Sequence, residues 1–288
     1  MLEFIDTHFH LWDLNHKDLA YAWLEEGAEH PQLGPRLAEL GKENYLIADF
    51  ISETRTSNVS KAIHVQAAIG SLDPIKETEW LQSISDKTGF PNAIVAYANL
   101  SDPNVEAQLE RHSEYPALRG IRDMSEGDYL TSSRFQHGYD LLAKFNLVSS
   151  LDCYWENMDK ASDLAAKCSN VVMVLDHCGF PQERSDEYFR NWARGINTIA
   201  EKENVICKIS GLGMVDHNWT IESIRPWVLH CIDAFGTDRC IFGSNWPVDK
   251  LFSNYEKLIN AYTKIIQNFR HGEKVAMFSD NANRIYQI

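Results

Sequence analysis

Short continuous apolar runs alternate with stretches of helical spacing along the whole chain. A parallel strand covered on both faces reads as such a run, because neither face meets water. Eight are present: Glu3–Phe9, Lys61–Ala67, Ala93–Ala98, Ala117–Ile121, Leu147–Asp152, Val171–Asp176, Val205–Ile209 and Arg239–Gly243. The stretches with helical spacing are Leu46–Glu53, Ile75–Asp86, Val105–His112, Arg134–Phe145, Met158–Lys167, Glu187–Glu201, Ile221–Phe235 and Asn254–Gln267. Eight strand–helix units predict an α/β fold, a (β/α)8 TIM barrel, with an open doubly wound sheet as the alternative. No G-x-G-x-x-G follows the first strand, which removes the usual dinucleotide reading. At 288 residues the chain has the length of one barrel. No Pro/Gly/Ser linker, charge block or short repeat marks a seam, so residues 1–288 are expected to form a single domain.

Strand starts fall 24 to 34 residues apart, except the first two, which stand nearly twice as far. The surplus, Leu11 to Tyr45, is rich in Trp, Tyr, His and Pro. Active-site residues of a barrel come from the C-terminal ends of its strands and the loops after them. The spacing therefore predicts a distorted barrel with a long loop after strand 1 over the pocket. Trp12, Tyr21 and Trp23 are wall candidates in that loop, and packing of the loop onto the barrel explains each of them equally well.

Polar residues at the strand ends stand out against this apolar background. In FIDTHFHLW, alternation with period two puts Asp6, His8 and His10 on one face and Ile5, Thr7, Phe9 and Leu11 on the other, with the polar face expected to point into the barrel. Imidazoles side by side resist joint protonation and suit a metal or a substrate carbonyl. VVMVLDHCGFP ends strand 6 with Asp176 and His177. His177 could join His8 and His10 as a third nitrogen ligand, while Asp176 could orient an imidazole or cap the next segment. Arg122, in LRGIRDM, could hold a substrate carboxylate by two parallel hydrogen bonds or pair with Asp123 or another local carboxylate; Arg119 carries no preference either way. Gln66 in HVQAA and Tyr154 in LDCYWEN are further pocket candidates, and His64 reads as structural or outward-facing. GSNWPVD ends strand 8 with Asn245, whose amide has no useful basicity, and Asp249 follows four residues later.

Charge and cysteines narrow the partners. Lys and Arg number 27 against 41 Asp and Glu, a net charge of −14, which argues against nucleic acid and an anionic membrane. MLEFIDTHFH lacks a basic segment before a long apolar core, and no run approaches the roughly 20 apolar residues that span a bilayer. A cytoplasmic protein is expected, and a homo-oligomer is compatible with the sequence. Cys153, Cys168, Cys178, Cys207, Cys231 and Cys240 form no C-x-x-C pair and are expected to be buried and reduced rather than disulfides or zinc thiolates.

The ordered motifs DTHFHLWD, HVQAA, LRGIRD, LDHCGFP, CKISGLG, GSNWPVD and the closing NANRIY resemble the strand-end motifs of the amidohydrolase-2 group of the amidohydrolase superfamily. The resemblance covers nearly the whole chain and is greatest to the sugar-lactonase and pyrone-dicarboxylate-lactonase branch. It implies a distorted (β/α)8 hydrolase of small C–O or C–N bonds, mainly lactones. His8, His10 and His177 would surround the reacting carbonyl or a divalent metal, and Arg122 would face an acidic substrate. The implied cofactor is one divalent metal, zinc first, or none. A decarboxylase branch shares the barrel and the first-strand pair, but its members are usually longer, and KISG with GSNWP leans toward the lactonases. Many relatives carry an aspartate as general base in the eighth-strand motif, where this chain has Asn245.

Lactone hydrolysis needs a nucleophilic water, stabilisation of an oxyanion and a proton for the leaving alkoxide. With an amide at 245, something else must make hydroxide. One route is a single zinc ion on His8, His10 and His177, whose bound water has a pKa of about 7. A two-metal centre is not expected, because no His ends strand 5 and neither Lys nor His ends strand 4. The other route is metal-free: the three imidazoles polarise the carbonyl, and Asp249 or Asp176 acts as base. The expectation is a hydrolase that opens a small lactone, from a sugar acid or a related carboxylated compound, with Arg122, Trp12, Gln66 and Tyr154 contacting substrate. The alternatives are a decarboxylase of the same group and a catalytically silent barrel that binds a sugar acid or lactone.

Overall fold

Eight parallel strands, hydrogen-bonded in chain order, run through the computed structural model, which describes residues 2–288. They are β1 Phe4–Phe9, β2 Val59–Val65, β3 Ala93–Tyr97, β4 Leu118–Arg122, β5 Val148–Leu151, β6 Met173–Leu175, β7 Val205–Ile209 and β8 Cys240–Phe242. The cylinder closes just beyond the ends of β8 and β1, where Phe9 and Trp246 form a parallel bridge. The Asn245 N–H donates to His8 O at 2.8 Å and the His10 N–H to Trp246 O at 2.7 Å. Helices Ile47–Thr54, Ile75–Thr88, Val105–Ser113, Ser133–Lys144, Met158–Lys167, Asp186–Ala200, Ile221–Phe235 and Tyr255–Ile265 follow the eight strands in turn. This is the (β/α)8 barrel that the alternation predicts.

Register separates the inside of the barrel from the outside. Ile5, Ile63, Val65, Val95, Val148, Val174, Ile206 and Ile241 form one apolar cluster, joined from the C-terminal helix Asn281–Tyr286 by Ala282, Ile285 and Tyr286. This cluster fills the interior, and the last helix plugs it from below. A second, larger cluster lies between the strands and the helices. The six cysteines are free and buried, and the Cys178, Cys207 and Cys231 thiols lie within 4.8 Å of one another.

One expectation about β1 fails here. Asp6 pairs with Ala62 and Phe9 with His64, so three steps along β1 match two along β2 and the strand bulges between them. A bulge reverses which side chains face the core. Ile5 consequently points inward and Asp6 outward, where it accepts from Ser244 Oγ at 2.6 Å and Tyr255 Oη at 2.8 Å. His8 and His10 turn into the barrel without it.

The loop from Leu11 to Tyr45 does lie over the barrel mouth. Gln32 Nε2 donates to Gln182 Oε1 at 2.8 Å, and the Gln32 carbonyl bonds His217 Nε2 at 2.8 Å. Arg36 reaches the Leu251 carbonyl. These contacts tie the loop to segments that follow β6, β7 and β8. Among the described residues no helix is long and apolar enough to cross a membrane.

Candidate active site

The upper interior turns polar. Register places Arg122 beside Ser150, Ser150 beside Val174 and Lys208 beside Ile241, so all three polar side chains share the inward parity of the apolar cluster below them. Asp176 follows β6 directly. Lys208 Nζ lies 2.7 Å from Asp176 Oδ1, and Ser150 Oγ donates to Asp176 Oδ2 at 2.6 Å. Arg122 Nε is 3.6 Å from Asp176 Oδ2, and its Nη2 donates to Asp152 Oδ2 at 2.5 Å. Two cations thus face two carboxylates, the only economical way to bury four charges. Burial pushes the Asp176 carboxyl up, but Lys208 and Arg122 outweigh it and hold the group below its ordinary range.

His8, His10 and His177 meet beside this block. His8 and His10 present their Nε2 atoms to each other at 3.2 Å. The His177 ring lies 4.4 Å from the His8 ring, centroid to centroid, and His8 Nδ1 is 3.9 Å from Asp176 Oδ1. His10 Nδ1 bonds the Val65 carbonyl at 2.8 Å and so carries the proton, which leaves a lone pair on Nε2. His177 Nδ1 bonds Ser210 Oγ at 2.8 Å. Burial, reinforced by the positive charge of Arg122, lowers His10 to about 4. Burial likewise holds His8 and His177 well below the ordinary range. All three are neutral imidazoles at pH 7.

Neutral imidazoles are the form that binds metal. Two nitrogen ligands about 2.0–2.1 Å from one tetrahedral ion stand about 3.3 Å apart, which matches the His8–His10 spacing. His177 does not complete the set as it stands. Among the described residues, the His/Cys/Asp/Glu ligand atoms that come in threes within 4.8 Å of one another are those of Cys178, Cys207 and Cys231. His8 and His10 could thus hold one divalent ion as a two-imidazole half-site, with the His177 ring tilted at 48° alongside His8.

The local backbone is bent to this arrangement. His177, Cys178, Phe180 and Asn245 all have φ near +50°, a left-handed conformation that costs about 1 kcal/mol or more for a non-glycine residue and clusters at functional sites. Glycine makes room at two points. A Cβ on Gly211 would sit 2.4 Å from His177 Nδ1, and one on Gly243 would sit 2.8 Å from His8 Cβ.

Asn245 and Asp249 form a pair. Asn245 Nδ2 donates to Asp249 Oδ1 at 2.9 Å, and the Asn245 side chain contacts His10. Asp249 is fully buried, which raises its carboxyl to about 7 against the opposing pull of Asn245 Nδ2 and the Gly213 N–H. Its Oδ2 rests over Gly213 without a full hydrogen bond.

The remaining expected residues occupy several different settings around the barrel. Arg119 bonds the Pro116, Leu118 and Gln287 carbonyls at the opposite end of β4. His64 faces outward and accepts from the Leu11 N–H at 2.9 Å. Trp12 is buried, with its Nε1–H on the Glu43 carbonyl and its ring against Trp23 and Tyr45. These contacts, like that of the Tyr21 hydroxyl with the Asp13 N–H, lie within the long loop, and Trp23 ties the loop to the segment after β2 through the Ala67 carbonyl. Gln66 is buried at the end of β2 and makes no side-chain hydrogen bond to a site residue among the described residues. Tyr154 stands half-exposed at the mouth, its hydroxyl 3.4 Å from Gln32 Nε2 and its ring beside Phe180, which in turn packs on His177.

Sequence reasoning missed Lys208, Asp152 and Ser210. The signal for Lys208 lies in VICKIS, where a lysine interrupts an otherwise apolar strand on the inward parity. Asp152 carried the same signal as Asp176, a carboxylate that closes an apolar run.

The model of the family described as Amidohydrolase matches residues 5–288. An uncharacterised protein of Sinorhizobium fredii is 39% identical over 296 residues, covering 99% of this chain and 98% of its own length. An L-fucono-1,5-lactonase of Burkholderia ambifaria is 24% identical over 299 residues, covering 99% and 95%. The crystal structure of an amidohydrolase from Burkholderia multivorans with bound zinc shares the fold with a TM-score of 0.85 at 24% identity, covering 99% of each chain.

Proposed function

The chain belongs to the amidohydrolase family and is a hydrolase, and from that premise we propose that it opens a small lactone by attack of a water activated at Asp249. The observation that carries this reading is the buried Asp249 carboxyl, raised to about 7 and clamped by Asn245. A base with a pKa near the working pH is ionised often enough to accept a proton and basic enough to keep it. Asn245 is then a handle rather than a lost base: its Nδ2–H fixes Oδ1, while the buried Oδ2 makes no full hydrogen bond within the protein. The L-fucono-1,5-lactonase relatives support a sugar-acid lactone as substrate.

Water would attack the lactone carbonyl while Asp249 takes its proton. The neutral imidazoles of His8, His10 and His177 border the developing oxyanion. As the bond to the ring oxygen breaks, protonated Asp249 returns the proton to the leaving alkoxide, and the product is a hydroxy acid. His8 and His10 would hold a divalent ion through Nε2, and zinc in the Burkholderia multivorans relative supports zinc as that ion. When bound, the ion would polarise the carbonyl and acidify water. Asp176 is a poor base, since Lys208 and Arg122 hold it ionised below its ordinary range. Its Oδ1 lies 3.9 Å from His8 Nδ1, beyond hydrogen-bond reach.

Proton release on a panel of aldono- and carboxylated lactones tests the reading. Turnover of at least one lactone is expected, with Asp249→Asn lowering kcat by about 1,000-fold at unchanged fold. Absence of turnover on every lactone, or an Asp249→Asn protein as active as the parent, overturns it.

A further inference from the structure

Asp249 is gripped at one oxygen only. Its Oδ1 accepts from Asn245 Nδ2 at 2.9 Å, whereas its Oδ2 is sealed from solvent without a hydrogen-bond partner. A second buried polar atom without a partner lies at the same point: the indole Nε1 of Trp219, a donor. A Cβ built on Gly213 would stand 3.1 Å from Asp249 Oδ2 and 3.3 Å from Trp219 Nε1, so the acceptor and the donor border the same face of one glycine.

Two loops bring them there. Gly213 belongs to the turn Leu212–Met214 after β7, Trp219 precedes the helix Ile221–Phe235, and Asp249 follows β8. The Trp219 backbone N–H donates to the Asp216 carbonyl at 3.0 Å, and Lys257 of the helix Tyr255–Ile265 lies over the indole ring at 4.5 Å. The ring is pinned from both sides. The titratable side chain of that helix that feels Asp249 is Tyr262, which burial holds well above its ordinary range and so keeps neutral.

A buried donor and a buried acceptor left apart each forfeit a hydrogen bond, and a small rotation of either side chain, or one bridging water, joins them. A carboxylate oxygen has two lone-pair sites, so one donor on each oxygen still leaves a site to take a proton from water. We infer, resting on the reading of Asp249 as the base, that Trp219 is a positioning residue whose indole N–H holds Oδ2 as the Asn245 amide holds Oδ1. Both donors fix the carboxylate and favour its ionised form, against the burial that opposes it.

Trp219→Phe keeps an aromatic wall and removes the N–H, and the sign of its effect separates the two roles. A ring that merely shields Asp249 would, once trimmed, admit water and lower the carboxyl pKa or leave it at about 7. A lost donor raises it. Difference infrared titration of the protonated carboxyl band that Asp249→Asn abolishes is expected to show a midpoint about one unit higher in Trp219→Phe. The acid limb of kcat/KM is expected to move with it, a loss of about tenfold at pH 6. Gly213→Ala, which sets a methyl group between the two atoms, is expected to move both in the same direction and decides the matter if Trp219→Phe does not fold. A midpoint unmoved or lowered in either variant overturns the inference. The infrared readout needs no substrate, so the base reading fails separately: a raised midpoint in a protein that opens no lactone leaves the grip standing without hydrolysis, and turnover with an unmoved midpoint leaves hydrolysis standing without Trp219.

Discussion

Asn245 Nδ2 and Asp249 Oδ1 are 2.9 Å apart, so the amide at the expected base position and the carboxylate four residues later act as one unit. Activity should follow the ionisation of Asp249, whose carboxyl burial raises to about 7. Below that pH, kcat/KM should fall about tenfold per unit as the base is protonated, and above it the profile should level off. Asp249→Asn should remove this acid limb together with most of the rate. A profile unchanged in the variant would assign the limb to another group.

The same shift predicts a stability cost. The folded state binds the Asp249 proton more tightly than the unfolded chain, whose carboxyl has the ordinary value of 3.8. The stability contributed by this group is therefore fully present below about 4 and is lost as pH rises through about 7. Asp249→Asn, with no charge to bury, should be more stable than the parent at pH 8, by on the order of 1–3 kcal/mol, and nearly equal to it at pH 4. Urea unfolding at the two pH values checks the sign.

Placing at 245 the aspartate that the family resemblance leads one to expect should not improve the enzyme. Asn245→Asp would face Asp249 across the distance of the present hydrogen bond, and two carboxylates that close cannot both ionise cheaply. The pair would share a proton at neutral pH, so kcat/KM at pH 7 should fall at least tenfold and the acid limb should move upward by a unit or more. A faster Asn245→Asp enzyme would show that base strength limits the parent and that Asp249 is not the working base.

The barrel was legible because its strands and helices obey simple periodicities that eight repetitions make hard to mistake. Boundaries were less so. The β2 run reads as Lys61–Ala67 but the strand is Val59–Val65, since Ala67 and Ala68 give their N–H groups to the buried Glu77 carboxylate instead of the sheet. His8, His10 and His177 were legible as polar residues closing apolar runs. Asp6 was misplaced because alternation assumes an unbroken pleat, and a bulge leaves no mark in the residues themselves. Lys208 and Asp152 were passed over because their roles come from partners on other strands, a relationship that register reveals and spacing does not.

Gly211 and Gly243 should tolerate no side chain without cost to the site. Gly211→Ala would press on the His177 ring from 2.4 Å, and Gly243→Ala on the His8 Cβ from 2.8 Å. Displacing a reacting group by about 1 Å can cost about 100-fold in rate. Each variant should therefore stay folded by circular dichroism while its kcat falls by about that factor. Gly211 also sits at φ +64°, so its alanine variant should be the less stable of the two.

Metal binding should divide the three histidines. His8 and His10 already present Nε2 atoms 3.2 Å apart, whereas His177 is tilted against His8 and engaged with Ser210. Chelator-treated protein titrated with zinc should bind about one equivalent. His8→Ala and His10→Ala should abolish binding, and His177→Ala should weaken it by only about 10-fold. Loss of zinc on replacing any one of the three equally would mean that His177 turns to join the pair.

Lys208 should be the most costly single replacement in the upper barrel. It is fully buried, its Nζ 2.7 Å from Asp176 Oδ1, with Tyr286 of the C-terminal helix facing it from below. Lys208→Met removes the charge and leaves Asp176 with only the more distant Arg122, and breaking one side of a buried ion pair costs about 3–5 kcal/mol. Lys208→Met with Asp176→Asn removes both charges and should recover much of that loss, because the penalty comes from the uncompensated carboxylate and not from missing volume. Arg122 and Asp152 remain as a neutral pair in the double variant. Chemical denaturation of both variants separates the two effects: equal destabilisation of single and double variants would mean that Lys208 serves by packing rather than by charge.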